Sequence, residues 1–315
     1  MHYFIHIPKT AGTSFRVAAE AHFGRTRIVY DYGDQSPVTS DSVRQYLHEQ
    51  DKPDRAALIE HCRKHNMALL AGHTALDRYA QHLGLPQSFT FLRAPLARCF
   101  SEYLHVQRED RFSGSFRDYF TNKRQINRQL KALSGMPLQA LGAVGVTERY
   151  RDSLKLLNRH YGWHIAHRKV NQAGWFAPKL KGVSVDDQAE FNALNAKDLA
   201  LYECACQLLD QRLAMQQSGQ PFVHGGHQQD KKGRISGWAW WANKDAEQPV
   251  EVALWQGNQQ LEVCRADRPA KAFKGYTADN EAAVGFAFEQ AMEPTDNDWQ
   301  VRVVATGQLL WPHTY

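Results

Sequence analysis

What this 315-residue sequence lacks narrows the field first. It has no run approaching the roughly 18 consecutive apolar residues of a membrane span, and its N-terminus enters a strand pattern with no basic segment, apolar stretch and cleavage site before it. The expectation is a soluble protein placed in the cytoplasm. Cysteine is scarce. The five thiols, Cys62, Cys99, Cys204, Cys206 and Cys264, are odd in number and lack metal-ligand spacing, so neither a disulfide framework nor a zinc site is expected. Lys/Arg-rich runs are missing too. The net charge of +5 suits a protein that handles anions, but dispersed cations argue against a nucleic-acid polymer as partner. Internal repeats are absent, and so is the G-x-x-x-x-G-K frame of nucleotide hydrolases, which disfavours ATP or GTP hydrolysis.

What is present begins with Tyr3-Phe4-Ile5-His6-Ile7, a short apolar run that ends at Pro8 and a Gly-containing turn. An alanine-rich helix over Phe15 to Phe23 follows. Further strands are expected at Arg27 to Tyr30, Met67 to Ala71, Phe89 to Leu92 and Trp163 to Val170. Helices are expected at Ser42 to Gln50, Arg55 to His65, Leu96 to Gln107 and Thr147 to Tyr161, with a long last one over Asp187 to Met215. Strands alternating with helices imply an α/β fold, a parallel sheet flanked by helices.

After residue 215 the composition changes. Gln216 to Gly233 holds four glycines and Pro221, a linker composition. The expected organisation is a domain over 1–220, a linker over 221–233 with the boundary near residue 225, and a β-rich domain over 234–315. Short alternating runs at Arg234 to Trp241, Val250 to Gln256, Gln260 to Cys264, Val284 to Phe288 and Trp299 to Ala305 suggest a small all-β, sandwich-like unit. Six of the eight tryptophans fall there. Trp238 and Trp240 either stack on sugar rings or fill the core of that unit.

The chemistry is expected at Pro8 to Ser14. A strand entering a turn with a lysine, a glycine and hydroxyl residues, then a helix, is a recipe for binding an anion: backbone N–H groups and the positive helix end face it, and Lys9 adds a full charge. Gly12 admits close backbone approach, and Thr10, Thr13 and Ser14 offer hydroxyl donors. Arg93 ends a strand, where ligands sit in open α/β sheets, and its guanidinium can grip a phosphate. His73 follows a strand and Gly72, and an imidazole suits proton abstraction near neutral pH. His6 reads as core, and His105 as a substitute base. The segment Arg168 to Trp175 combines cations with an aromatic ring able to close over a ligand, and Arg124, Asn127, Arg128 and Lys131 are candidate contacts to an anionic acceptor, or simply a solvated helix face.

The run His6-Ile7-Pro8-Lys9-Thr10-Ala11-Gly12-Thr13-Ser14 resembles the opening of the sulfotransferases, especially the carbohydrate group of heparan and uronosyl 2-O-sulfotransferases and their bacterial relatives. The resemblance continues through Ala71-Gly72-His73 and Phe89 to Tyr103, more weakly through Asn127 to Gly135, Val144 to Arg149 and Leu201-Tyr202, covering roughly residues 1 to 215. It departs from the family at Ala94, where an acidic residue is frequent, and at Lys131, where an arginine is usual. The resemblance implies a P-loop-like sheet and a co-substrate, 3′-phosphoadenosine 5′-phosphosulfate, leaving as adenosine 3′,5′-bisphosphate. Lys9, Thr10, Gly12, Thr13 and Ser14 would hold its 5′-phosphosulfate, Arg93 and Ser101 its 3′-phosphate, with Lys9 stabilising the leaving oxygen and His73 the base; no metal enters the scheme. The partner implied is a carbohydrate hydroxyl acceptor. A lipid or small-molecule alcohol is the alternative acceptor, and a non-catalytic nucleotide- and glycan-binding protein the alternative class. Gly233 to Trp240, with Ala266-Asp267-Arg268 and Gly285-Phe286, is similar to small β-domains appended to bacterial glycan-modifying enzymes.

Overall fold

The structure is a computed structural model, and it describes residues 1–167, 183–242, 248–276, 283–293 and 298–313. Its first half is ordered β1 (His2–Ile5), α1 (Gly12–Phe23), β2 (Ile28–Asp31), α2 (Asp41–Val43, continued by a π turn over Arg44–His48), α3 (Arg55–Lys64), β3 (Leu69–Gly72), α4 (Asp77–Leu83) and β4 (Ser88–Leu92). Then come α5 (Pro95–Arg108), α6 (Phe116–Phe120), α7 (Arg128–Ala132), β5 (Ala143–Val146), α8 (Tyr150–Tyr161), α9 (Val185–Leu194) and α10 (Ala196–Gln217).

The five strands form one sheet in the order β2-β3-β1-β4-β5, every pair parallel. Strands β2 to β5 are buried at every position, which explains their near-continuous apolar sequences: helices cover both faces. One face packs Phe4, Phe15, Phe89, Phe91, Tyr150 and Leu154 beneath α1 and α8. The other packs Tyr3, Ile5, Leu70, Leu92 and Val144 against Leu201, Leu208 and Leu209 of α10. The strand order reverses direction at β1, so the crevice for a ligand opens at the carboxyl end of that strand.

Two expectations here are corrected. The described residues of Trp163 to Val170, 163–167, are not a strand: Asn158 receives the Ile165 N–H (3.0 Å) and donates to its carbonyl (2.9 Å), tying the segment to α8 instead of a sheet. Residues 168–170 lie outside the described residues. The fifth strand is Ala143–Val146, concealed by its brevity and by Gly145, whose site has no room for a side chain beside Phe91. The single helix expected over Asp187 to Met215 is two, broken at Asn195, whose side-chain oxygen is taken by the Asn127 N–H (2.8 Å).

The second half contributes β6 (Val223–Gln229), β7 (Arg234–Trp241), β8 (Glu251–Gln256), β9 (Gln259–Arg265), β10 (Arg268–Pro269), β11 (Ala283–Ala291), β12 (Trp299–Val303) and β13 (Leu309–Pro312). They make one eight-stranded sheet, β10-β11-β7-β6-β13-β12-β8-β9, antiparallel except between β6 and β13. It is not a two-sheet sandwich. The sheet curls until Glu262 on β9 accepts the backbone N–H groups of Glu289 (3.0 Å) and Gln290 (2.9 Å) on β11. This closes the surface around Ile235, Val252, Leu254, Phe286 and Val301.

The stretch 221–233, expected as a linker, contains β6, a strand hydrogen-bonded on both sides. Its glycines are there for close approach: a Cβ on Gly225 would lie 3.0 Å from Leu310 and 3.1 Å from the Trp238 carbonyl. Behind β6, Arg212 of α10 is 1% exposed and donates to Gln139 O (3.1 Å), while His224 bonds the same carbonyl (2.9 Å). Trp238 is 4% exposed and packs on Phe273 and Trp240 against the core of the first half. Burial therefore removes Trp238 as a sugar-stacking surface; it is a core residue.

Candidate functional site

The carboxyl end of β1 leads directly into the turn singled out above. His6 N–H donates to Gly72 O (2.9 Å), and Lys9 and Ala11 then take positive φ angles of 67° and 68°. Such left-handed positions cost non-glycine residues on the order of 1–2 kcal/mol each and gather successive backbone N–H groups on one side. Thr10 is buried, its hydroxyl donating to Ile7 O (2.8 Å); what it can offer an anion is its amide. Helix α1 starts at Gly12 with no side-chain cap from Ala11, so the positive end of the helix dipole faces the turn. Thr13 is exposed and Ser14 buried on that turn.

Gly12 has a physical reason to be glycine: a Cβ would sit 1.8 Å from Nε2 of His6. The His6 imidazole is thus the floor of the loop. Its Nδ1 lies 2.8 Å from the Tyr32 hydroxyl, and its ring meets His73 edge-on with centroids 4.4 Å apart. Burial, then the nearby His73, Arg16 and Lys9, hold its pKa far below the ordinary histidine value.

His73 follows β3, its N–H donating to Asp31 O (3.1 Å). One side of its ring is open to solvent, while the other lies against His6 and Tyr32 (4.7 Å between centroids). Desolvation of that inner side, with Arg128 facing it, pushes the pKa down to about 4, so the imidazole is neutral and able to accept a proton at neutral pH. It lines a pocket of about 160 Å³ together with His6, Pro8, Arg128 and Lys131. Two of the four candidate acceptor contacts, Arg128 and Lys131, thus line the same pocket as His73. Asn127 does not: its side chain accepts the Asp198 N–H (3.0 Å) and donates to Leu194 O (3.3 Å). Arg124 is exposed and is not part of this pocket.

Arg93 is brought to the same end of the sheet. Its Nη1 donates to Lys9 O (3.1 Å), its N–H to the Gln129 side chain (3.0 Å), and Gln129 returns a bond to its carbonyl (2.9 Å). Glu148 lies 4.0 Å from the guanidinium, accepting the Ala94 N–H (3.1 Å) and the Tyr202 hydroxyl (3.1 Å). Lys9 is half-buried, and desolvation followed by the nearby Arg108 and Arg93 lowers its pKa. Helix α5 begins at Pro95, which puts partly exposed Ser101 on its second turn. His105 sits further along, 3.3 Å from Glu109.

Gln129, Glu148 and Tyr202, which fix Arg93, escaped the reading of roles, although all three fall within segments matched by the resemblance. His6 is buried, as its reading as core expects, and Tyr32 escaped the reading because its part is spatial. The Arg168 to Trp175 segment lies outside the described residues. Among the described residues, no cluster of three His, Cys, Asp or Glu side chains is arranged to hold a metal ion, and no helix is long and apolar enough to cross a membrane.

No family model and no curated protein matches the chain. Among solved structures it is similar to a sulfotransferase from Alicyclobacillus acidocaldarius, at 17% identity and a TM-score of 0.36, over 64% of this chain and 94% of that one. So distant a likeness does not bear on the chemistry, which rests on the geometry above.

Proposed function

We propose that the chain is a sulfotransferase that moves the sulfuryl group of 3′-phosphoadenosine 5′-phosphosulfate to a carbohydrate hydroxyl. One observation carries the reading: the Arg93 guanidinium bonds the carbonyl of Lys9, which brings the end of β4 to the turn that starts α1, at the same end of the sheet as the neutral imidazole that follows β3. That arrangement suits a nucleotide with two separate anionic groups. The loop amides and Lys9 hold the 5′ end, and Arg93, with Ser101 on the adjacent helix, the 3′-phosphate.

The acceptor oxygen attacks sulfur in line as the bond from sulfur to the 5′-phosphate oxygen breaks, and the acceptor's proton passes to His73. Lys9 faces the charge growing on the departing phosphate, and positioning with electrostatics supplies most of the effect. Arg128 and Lys131, beside His73, favour an acceptor bearing an anionic substituent near the attacked hydroxyl.

Calorimetry with adenosine 3′,5′-bisphosphate, followed by radiolabelled transfer to a panel of glycans, lipids and small alcohols, tests the reading. Binding that is lost in Arg93→Ala, and transfer that is lost in His73→Ala, are expected. Absence of nucleotide binding overturns it, and labelling of only lipid or small alcohols overturns the carbohydrate assignment.

A further inference from the structure

A second site lies along α8. Arg151, Lys155 and Arg159 recur every fourth residue, so they share one face and stand about 6 Å apart along the axis, a stripe about 12 Å long. Like charges at this spacing weaken a helix. All three are exposed, and none makes an ion pair among the described residues. The one acid of α8, Asp152, is engaged by Arg149 (3.1 Å). A stripe kept at a cost, with its local acid already committed, calls for negative charge from outside.

The stripe lines a cavity of about 530 Å³ formed between α8 and the segment 162–167. Arg159 also lines a neighbouring cavity of about 890 Å³, where the end of α10 and the entry to β6 meet the end of α8. The two adjoin at Arg159, which lines both, and make up a track along α8. In the second cavity Gln216 is 7% exposed, and its side-chain oxygen has no hydrogen-bond partner. A buried amide oxygen without a donor costs about 1–3 kcal/mol, and an O–H or N–H from outside the chain, a water or a ligand group, relieves it. Gln220 and His160, the latter held neutral by burial with a pKa of about 4, stand beside it.

We propose that this track binds an acidic polysaccharide, its anionic groups on Arg151, Lys155 and Arg159 and a hydroxyl on the Gln216 oxygen. Single-stranded nucleic acid fits less well, because it needs an aromatic stacking face and the tryptophan of the track, Trp163, is buried. A bare polyphosphate offers charge without the hydroxyl. The proposal rests on the transferase reading only in making this polymer the acceptor; binding itself does not require the reaction.

The test is calorimetry on the full chain with polygalacturonate, dextran, polyphosphate and single-stranded DNA, alongside adenosine 3′,5′-bisphosphate. Polygalacturonate should bind at least about tenfold more tightly than the other three polymers, a difference of about 1.4 kcal/mol. The triple variant R151E/K155E/R159E should lose at least that factor for polygalacturonate while binding adenosine 3′,5′-bisphosphate as before. Gln216→Leu should weaken polygalacturonate without changing the salt dependence of its binding. Equal or tighter binding of polyphosphate or DNA, no binding of polygalacturonate, or affinity unmoved by the triple variant overturns the proposal. Polymer binding without nucleotide binding defeats the transferase reading alone, and nucleotide binding without polymer binding defeats this inference alone.

Discussion

Lowering the pH from 7.5 to 5.5 should strip this fold of a measurable share of its stability through histidines buried as neutral bases. His160 and His227 have pKa values pushed down to about 4, chiefly by burial, with Arg212 acting on the first and His313 on the second. Their folded values lie below the unfolded value of about 6.5, so on acidification the unfolded chain takes up protons that the folded chain refuses. Stability is unaffected above that value and falls as pH drops through it. Between pH 7.5 and 5.5 each histidine removes about 1.3 kcal/mol, about 2.7 kcal/mol for the pair, against total stabilities of about 5–15 kcal/mol. His6 and His224, also lowered well below the ordinary value by burial, act in the same direction. Asp198, whose carboxyl burial pushes up, opposes them. Urea unfolding followed by circular dichroism at the two pH values measures the difference, and His227→Gln should recover about 1.3 kcal/mol of the loss if its folded cost is small. An unfolding free energy equal at pH 7.5 and 5.5 would refute the assignment of neutral buried imidazoles.

Further outcomes are expected at the site. Lys9→Ala should cut the transfer rate by about a hundredfold, on the order of 3 kcal/mol, with the unfolding midpoint nearly unchanged; single-turnover kinetics with labelled donor reads it. Because the His73 pKa is about 4, the rate should show no histidine limb between pH 5.5 and 7.5 in a fold-stabilising buffer, and a limb near pH 6.5 would assign the base elsewhere. Gly12→Ala should be destabilised and inactive through its clash with His6, and His6→Ala in the same chain should recover part of the stability; additive losses would contradict the contact. Trp238→Ala should cost about 3–5 kcal/mol in unfolding free energy while leaving glycan affinity alone.

The local elements and the conformation of the turn at 8–14 were legible because they are local chemistry. A buried parallel strand requires a continuous apolar run, and a turn with left-handed positions feeding an uncapped helix leaves a lysine, a glycine and hydroxyls in a row. The Arg93 and His73 positions were legible as strand ends. Where the signal was short or interrupted it failed: β5 has four residues and a glycine, and β6 carries Gly225 and Gly226, which look like flexibility in one dimension and are close packing in three.

Only the folded chain decided the rest, because it depends on residues distant in sequence. Parallel pairing carries Arg93 to the carbonyl of Lys9, 84 residues away, and sets His6 beneath Gly12 and beside His73. Packing of the second sheet against the first half covers Trp238, and the meeting of α8 with the end of α10 places a basic stripe next to an unsatisfied amide. Hydrophobic periodicity specifies which face of an element is covered; what covers it is settled by packing among elements far apart along the chain.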